Sequence, residues 1–96
     1  MTTSIDYLCI PKIESSIHKK NIIAIIEKTK ICKIHDYNEQ SWKYDNKYKK
    51  IMMKVNWNLN HEYYSILMER LQTNNAIKIV DHTRIIHIIP SWHPKS

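Results

Sequence analysis

Apolar and polar residues alternate most regularly between Tyr48 and Trp57. There Ile51, Met53 and Val55 point one way and Lys50, Met52 and Lys54 the other. That period of two predicts a strand with one buried and one open side. Leu8 and Ile10 alternate in the same way within Tyr7-Leu8-Cys9-Ile10, predicting a first strand ended by Pro11, which has no N–H for a ladder. The period then changes. Ile22, Ile25, Ile26 and Thr29 recur at i, i+3, i+4 and i+7, predicting a helix from Ile17 to Thr29 with Ser15 or Ser16 as its cap. Ile31 to Tyr37 reads as a second strand, and Asn38 to Lys47 as a polar loop. After Trp57, Asn58 or Asn60 can cap a second helix that runs to Gln72, with Tyr64, Leu67, Met68 and Leu71 as its buried stripe. Thr73-Asn74-Asn75 is a turn, Ala76 to Val80 a short strand, and Arg84 to Ile89 a last strand stopped by Pro90.

The order is β-α-β-β-α-(β)-β. Two βαβ halves with right-handed crossovers predict an α+β, split-βαβ (ferredoxin-like) sandwich: a four-stranded antiparallel sheet with both helices on one face. A chain of 96 residues has room for one core, so residues 1–96 form a single domain with a short tail at 91–96. The sheet face away from the helices is left open, and function is to be sought there.

Composition narrows the classes. Hydrophobic content of 43% with 25% charged residues fits a globular chain. The longest apolar stretches, Ile22–Ile26 and Ile85–Ile89 (the latter interrupted by His87), fall far short of the ~20 residues of a membrane span, so no membrane association is expected. Met-Thr-Thr-Ser-Ile-Asp has no signal core. Cys9 and Cys32 do not make a disulfide framework, which favours a reduced intracellular setting. The net charge of +6 draws polyanions, nucleic acid first. The richness in Lys, Asn and Ile is also what an A- and T-rich coding sequence produces, so charge alone does not name a ligand. The absence of glycine excludes phosphate-cradling and dinucleotide-binding loops, and assigns left-handed turns to Asn, Asp or Lys, with Asn46, Asn74 and Asn75 best placed.

Several stretches carry a likeness. Leu8–Ile13 sits where the RNA-recognition motif (RRM) has its short first-strand signature, and Lys50–Val55 where its third-strand signature lies. With Tyr48–Trp57, Glu69-Arg70-Leu71 and Ala76–Val80, the chain resembles a family of small RRM-like proteins of giant nucleocytoplasmic DNA viruses, over most of residues 5 to 90. Those proteins open with Leu-Cys-Ile-Pro-Arg-Val, carry a basic-aromatic third strand followed by Trp, and have a helix ending in Arg-Leu before a Glu-Ile-Lys-Ile strand. Their last strand is rich in Trp and Phe, whereas here it reads Arg84-Ile85-Ile86-His87-Ile88, and Met52 and Val55 replace third-strand Phe residues. The resemblance implies a viral binding module, located in the host cytoplasm, the viral factory or the virion.

RRMs stack bases on rings of their two central strands. Here the resemblance puts Cys9, Lys50 and Met52 at those positions, and none is aromatic. Each stack is worth about 1–3 kcal/mol, so the expectation is weak, salt-sensitive contact with RNA or another single strand, carried by Lys33, Lys50 and Lys54 beside Met52. Tyr7, one step outside the motif, is a substitute ring. The segment Trp42-Lys43-Tyr44-Asp45-Asn46-Lys47-Tyr48-Lys49-Lys50 interleaves rings and cations. Its Trp42, Lys43, Tyr44, Lys47, Lys49 and Lys50 are candidates to grip a phosphate backbone and lay a ring on a base. The competing reading is a solvated lysine-rich hairpin.

The six histidines show no zinc-site spacing, and no metal or cofactor is expected. No phosphate-loop arginine and no nucleophile–base arrangement stands out, so an enzyme is not expected. The last strand is apolar on both sides. Ile86 and Ile88, or Ile85 and Ile89, are then exposed unless Trp92 and the tail, or a second chain, cover them. A patch of Ile86, Ile88 and Trp92 carries the alternative reading, a small structural protein that forms a homodimer or joins a viral partner.

Overall fold

A computed structural model of the chain describes residues 5–91. The elements are β1 (Tyr7–Glu14), α1 (Lys19–Lys28), β2 (Cys32–Ser41), β3 (Tyr48–Trp57), α2 (Tyr64–Gln72), β4 (Ile77–Asp81) and β5 (Arg84–Pro90). The fold is α+β, with two helices and one antiparallel sheet in the order β2-β3-β1-β5-β4. A four-stranded sheet was expected; the short strand read at Ala76–Val80 is present as Ile77–Asp81 and joins the sheet as a fifth, pairing with β5 along its length, from Ile77↔Ile88 to Asp81↔Arg84.

The cross-strand register sorts every strand residue onto one of two faces, because partners in an antiparallel ladder share a side. Leu8↔Met53 and Ile10↔Ile51 face one way, as do Ile77↔Ile88 and Ile79↔Ile86. These residues share one buried cluster with Ile22 and Ile26 of α1 and with Met68 and Leu71 of α2. Both helices therefore cover the same face, each through the stripe its sequence predicts.

Four boundaries differ from the sequence reading; one is the second helix, which begins at Tyr64 with Tyr63, not Asn58 or Asn60, as its cap residue. The first strand does not end at Pro11. One extra residue between Ile10 and Ile13 makes a bulge, which absorbs a residue that cannot donate to the ladder, and pairing resumes at Ile13↔Lys49. The second strand continues to Ser41, since Asn38, Glu39 and Gln40 pair with Met52, Ile51 and Lys50. An edge strand tolerates so polar a run because one of its flanks faces water, and the loop shrinks to the residues between Ser41 and Tyr48. Ser15 does not cap α1. Its hydroxyl donates to the Asn46 carbonyl at 2.8 Å, and His18 is the cap residue, without a side-chain bond.

Of the left-handed positions expected, Asn74 is one, with φ 62°. The others are Lys30 and His82, not Asn46 or Asn75. Lys30 follows α1, where its carbonyl accepts from the Asn58 amide at 3.0 Å. Cys9 and Cys32 are both buried free thiols, on opposite faces and with β3 between their strands. Among the described residues no helix is long and apolar enough to cross a membrane.

Candidate nucleic-acid interface

The uncovered face follows from the same register. Along β3 it carries Tyr48, Lys50, Met52, Lys54 and Asn56, the alternates of the buried set. Lys54 sits opposite Tyr7 on one side and Asp36 on the other, Met52 opposite Cys9 and Asn38, and Lys50 opposite Gln40. Cys9 and Met52 are thus neighbours in the central strands, away from the helices. The flanking β2 residues add one carboxylate, Asp36, and two neutral amides, and Lys33 lies opposite Asn56 near the end of the same face.

The face has a ring cluster at each end of the β3 stripe. At one end Trp42 and Tyr48 lie 5.5 Å apart between centroids, tilted by 49°. The β1 bulge builds this cluster. It frees the Pro11 carbonyl to accept from the Trp42 indole N–H at 3.1 Å. It also turns Lys12 outward, so that the ammonium lies 4.2 Å from the Tyr48 centroid and 5.4 Å from that of Trp42. At the other end Tyr7 lies under the Lys54 ammonium at 5.7 Å, beside a shallow depression of about 400 Å³ lined by Tyr7, Asp36, Asn38, Met52 and Lys54. About 20 Å of strand separates the two ends, six residues at roughly 3.3 Å each.

The adjacent lysines of β3 have opposite fates. Lys50 is on the open face, whereas Lys49, proposed from sequence as a backbone-gripping cation, points toward the helices and is only 6% exposed. Its ammonium donates to the Ile17 carbonyl at 2.6 Å and to the Glu39 carboxylate at 2.9 Å. Glu39 also accepts from the Tyr37 hydroxyl at 2.5 Å. Burial pushes the Tyr37 phenol well above its ordinary range, and the bond to Glu39 adds to it. Burial alone would raise the Glu39 carboxyl, but the Tyr37 hydroxyl and the Lys49 ammonium outweigh it and hold the group below its usual value. Lys49 is therefore a tie between sheet and α1 entrance, unavailable to a ligand. The candidates Lys43, Tyr44 and Lys47 are exposed in the turn, with the Lys43 ammonium 5.5 Å from the Tyr44 ring centroid.

The apolar side of the face also departs from expectation. Ile86 and Ile88 are core residues, 2% and 1% exposed, because they alternate onto the helix side. The open side of β5 carries Ile85, His87 and Ile89. Ile85 is 54% exposed and its partner Val80 on β4 is 68% exposed. The expected role of Trp92 lies outside the described residues. Among the described residues no group of His, Cys, Asp and Glu is placed to hold a metal ion.

Sequence reasoning missed Lys12 and the pairing of Trp42 with Tyr48. The available signal was Pro11 itself, since a proline inside a strand marks a bulge, and a bulge re-aims its neighbour. Comparison of the chain with protein-family models, curated proteins and solved structures gives no match.

Proposed function

We propose that this protein is an RRM-like module that binds single-stranded nucleic acid without reading its sequence, through the open sheet face and the adjoining Trp42–Lys47 turn. One observation carries the reading: the face the helices leave bare has a ring cluster at each end of one strand, Trp42 and Tyr48 with Lys12 at one end and Tyr7 with Lys54 at the other, and Lys50 lies between them. Phosphates need mobile cations and bases need flat apolar surfaces, and this face offers both. The order β2-β3-β1-β5, with a helix after β1 and another after β3, supports the split-βαβ assignment, to which β4 is an edge addition. The likeness at Leu8–Ile13 and Tyr48–Trp57 supports a viral source and a site of action in the host cytoplasm, viral factory or virion. Fluorescence anisotropy with a labelled single-stranded RNA tests the binding. Affinity should fall steeply with salt, with a slope of about −0.7 per phosphate neutralised. Absence of binding at low salt, or binding indifferent to salt, removes this reading.

A second reading, self-association or docking onto a larger particle through the last strand, rests on the exposed Val80–Ile85 pair. Light scattering at rising concentration tests it, and a monomer throughout counts against self-association.

A further inference from the structure

We propose that the cavity at the Trp57 end of the sheet seats the phosphorylated terminal nucleotide of the bound strand; this rests on the single-strand reading above. The cavity holds about 540 Å³ and is lined by Glu27, Lys30, Cys32, Lys33, Asn56 and Trp57, with Asn58 at its edge. That volume lies in the range of small-ligand sites. It adjoins the open face, since Lys33 and Asn56 are cross-strand partners on that face, one step beyond Lys54.

The lining suits a nucleotide group by group. Trp57 supplies a flat wall that is already fixed: its indole N–H donates to the Ile5 carbonyl at 2.7 Å, and Tyr64 packs against its ring edge-on at 6.1 Å. Cys32 is 3% exposed, and burial, with Glu27 nearby, pushes its thiol up to about 11, so it is a neutral apolar surface and not a nucleophile. One Glu27 oxygen accepts from the Ile34 N–H at 2.9 Å, which orients the carboxylate and leaves its other oxygen as an acceptor for a base edge. Lys30 and Lys33 are both exposed, and neither is engaged in an ion pair among the described residues, which leaves two ammonium groups for a terminal phosphate.

The position explains why the nucleotide is a terminal one. Past Trp57 the β2–β3 ladder ends. There the Asn58 N–H donates to the Ile31 carbonyl at 2.8 Å and its side-chain amide to the Lys30 carbonyl, joining the two flanking connections. A strand running along β3 from Tyr48 thus leaves the sheet at this cavity. Lys30 holds a left-handed φ of 62°, a conformation for which the chain uses asparagine at Asn74. A lysine there places a cation on the cavity rim at a conformational cost that asparagine or glycine would reduce.

Two measurements on the full chain test the inference. In an NMR titration with a nucleoside 5′-monophosphate, the Trp57 indole N–H resonance should shift. Lys33→Glu and Lys30→Gly should each weaken that binding about fivefold or more, while Lys30→Gly holds or raises Tm, which separates lost binding from lost folding. An unmoved Trp57 resonance at millimolar nucleotide, or shifts indifferent to both variants, overturns the proposal. In the second measurement, single strands of equal length carry a 5′-phosphate, a 3′-phosphate, hydroxyl ends, or no ends because they are circular. One phosphorylated linear strand should bind about tenfold tighter than the circle, as one added stack with its charge contacts implies, and which one does so identifies the end. Equal affinity of linear and circular strands overturns the terminal assignment and leaves the sheet reading standing. If no strand binds although the mononucleotide still shifts Trp57, the sheet reading fails and takes the terminal-strand assignment with it.

Discussion

The two halves of the open sheet face are made of the same kind of antiparallel strand and present different chemistry. The half formed by β2, β3 and the near side of β1 carries Lys50 and Lys54 between rings, with Lys12 turned onto it by a bulge. The half formed by β5 and β4 carries the exposed Val80–Ile85 pair, with His87 opposite Lys78 and Ile89 beside Cys9. A polyanion gains from the first half and nothing from the apolar pair, whereas another protein surface gains from that pair. The difference shows that alternation decides which side a strand turns to solvent, and that the residues left on the alternate positions decide what that side can hold.

Variants separate the halves. Reversing three cations of the basic half, Lys12→Glu, Lys50→Glu and Lys54→Glu together, should weaken single-strand binding about 100-fold near physiological salt and flatten the salt slope by about 2, since three phosphate contacts are lost. Retained affinity in a salt series would remove the basic half from the interface. Next in size is a stability effect beneath that half. Glu39→Gln leaves the buried Lys49 ammonium without its carboxylate and should cost about 1–3 kcal/mol in denaturant unfolding, below the range for a fully buried pair because the Glu39 side chain is 34% exposed. The same tie predicts a pH dependence. Glu39 titrates below its ordinary value when folded, so its contribution is complete above the usual carboxylate pKa and is lost as pH falls through the lowered one. Unfolding curves of Glu39→Gln should lack that acid-side component; an identical acid slope in both proteins would show that the carboxylate is not held down.

Trp42→Ala removes one ring and the indole bond to Pro11, and should weaken binding by about 1 kcal/mol, the low end for a stack because Trp42 is only 37% exposed. Anisotropy at fixed salt measures it, and an unchanged affinity would assign the stacking to Tyr48 and Tyr7 alone. The smallest effect belongs to the apolar half. Val80→Ser with Ile85→Ser should leave single-strand affinity unchanged and alter stability by about 0.5 kcal/mol. A shift to smaller mass in light scattering would reveal self-association through that pair, and a fall in single-strand affinity would merge the two halves into one site.

Much of the architecture is legible in the sequence. Both helices bury the stripes their spacing predicts, and β3 runs from Tyr48 to Trp57 as its alternation requires. The candidate site was legible in part. Lys50, Met52 and Lys54 alternate onto the open face as expected, because the period along an inner strand is fixed once one side is buried. Lys49 was misread because a lysine in a run of lysines carries no local sign of burial. Its partner Glu39 lies ten residues away and meets it only across the β2–β3 ladder. Ile86 and Ile88 were misread because a strand apolar on both sides has no alternation to set its phase.

Hydrophobic periodicity sufficed for the number of helices, the inner strand β3 and the residues that could form a core, since these depend on positions close together in the chain. Only the tertiary structure fixed the phase of β5, the pairing of β4 with it, the burial of Lys49 and the turning of Lys12 onto Trp42 and Tyr48. Each of these depends on register between distant strands, where a single inserted residue moves a side chain to the other face.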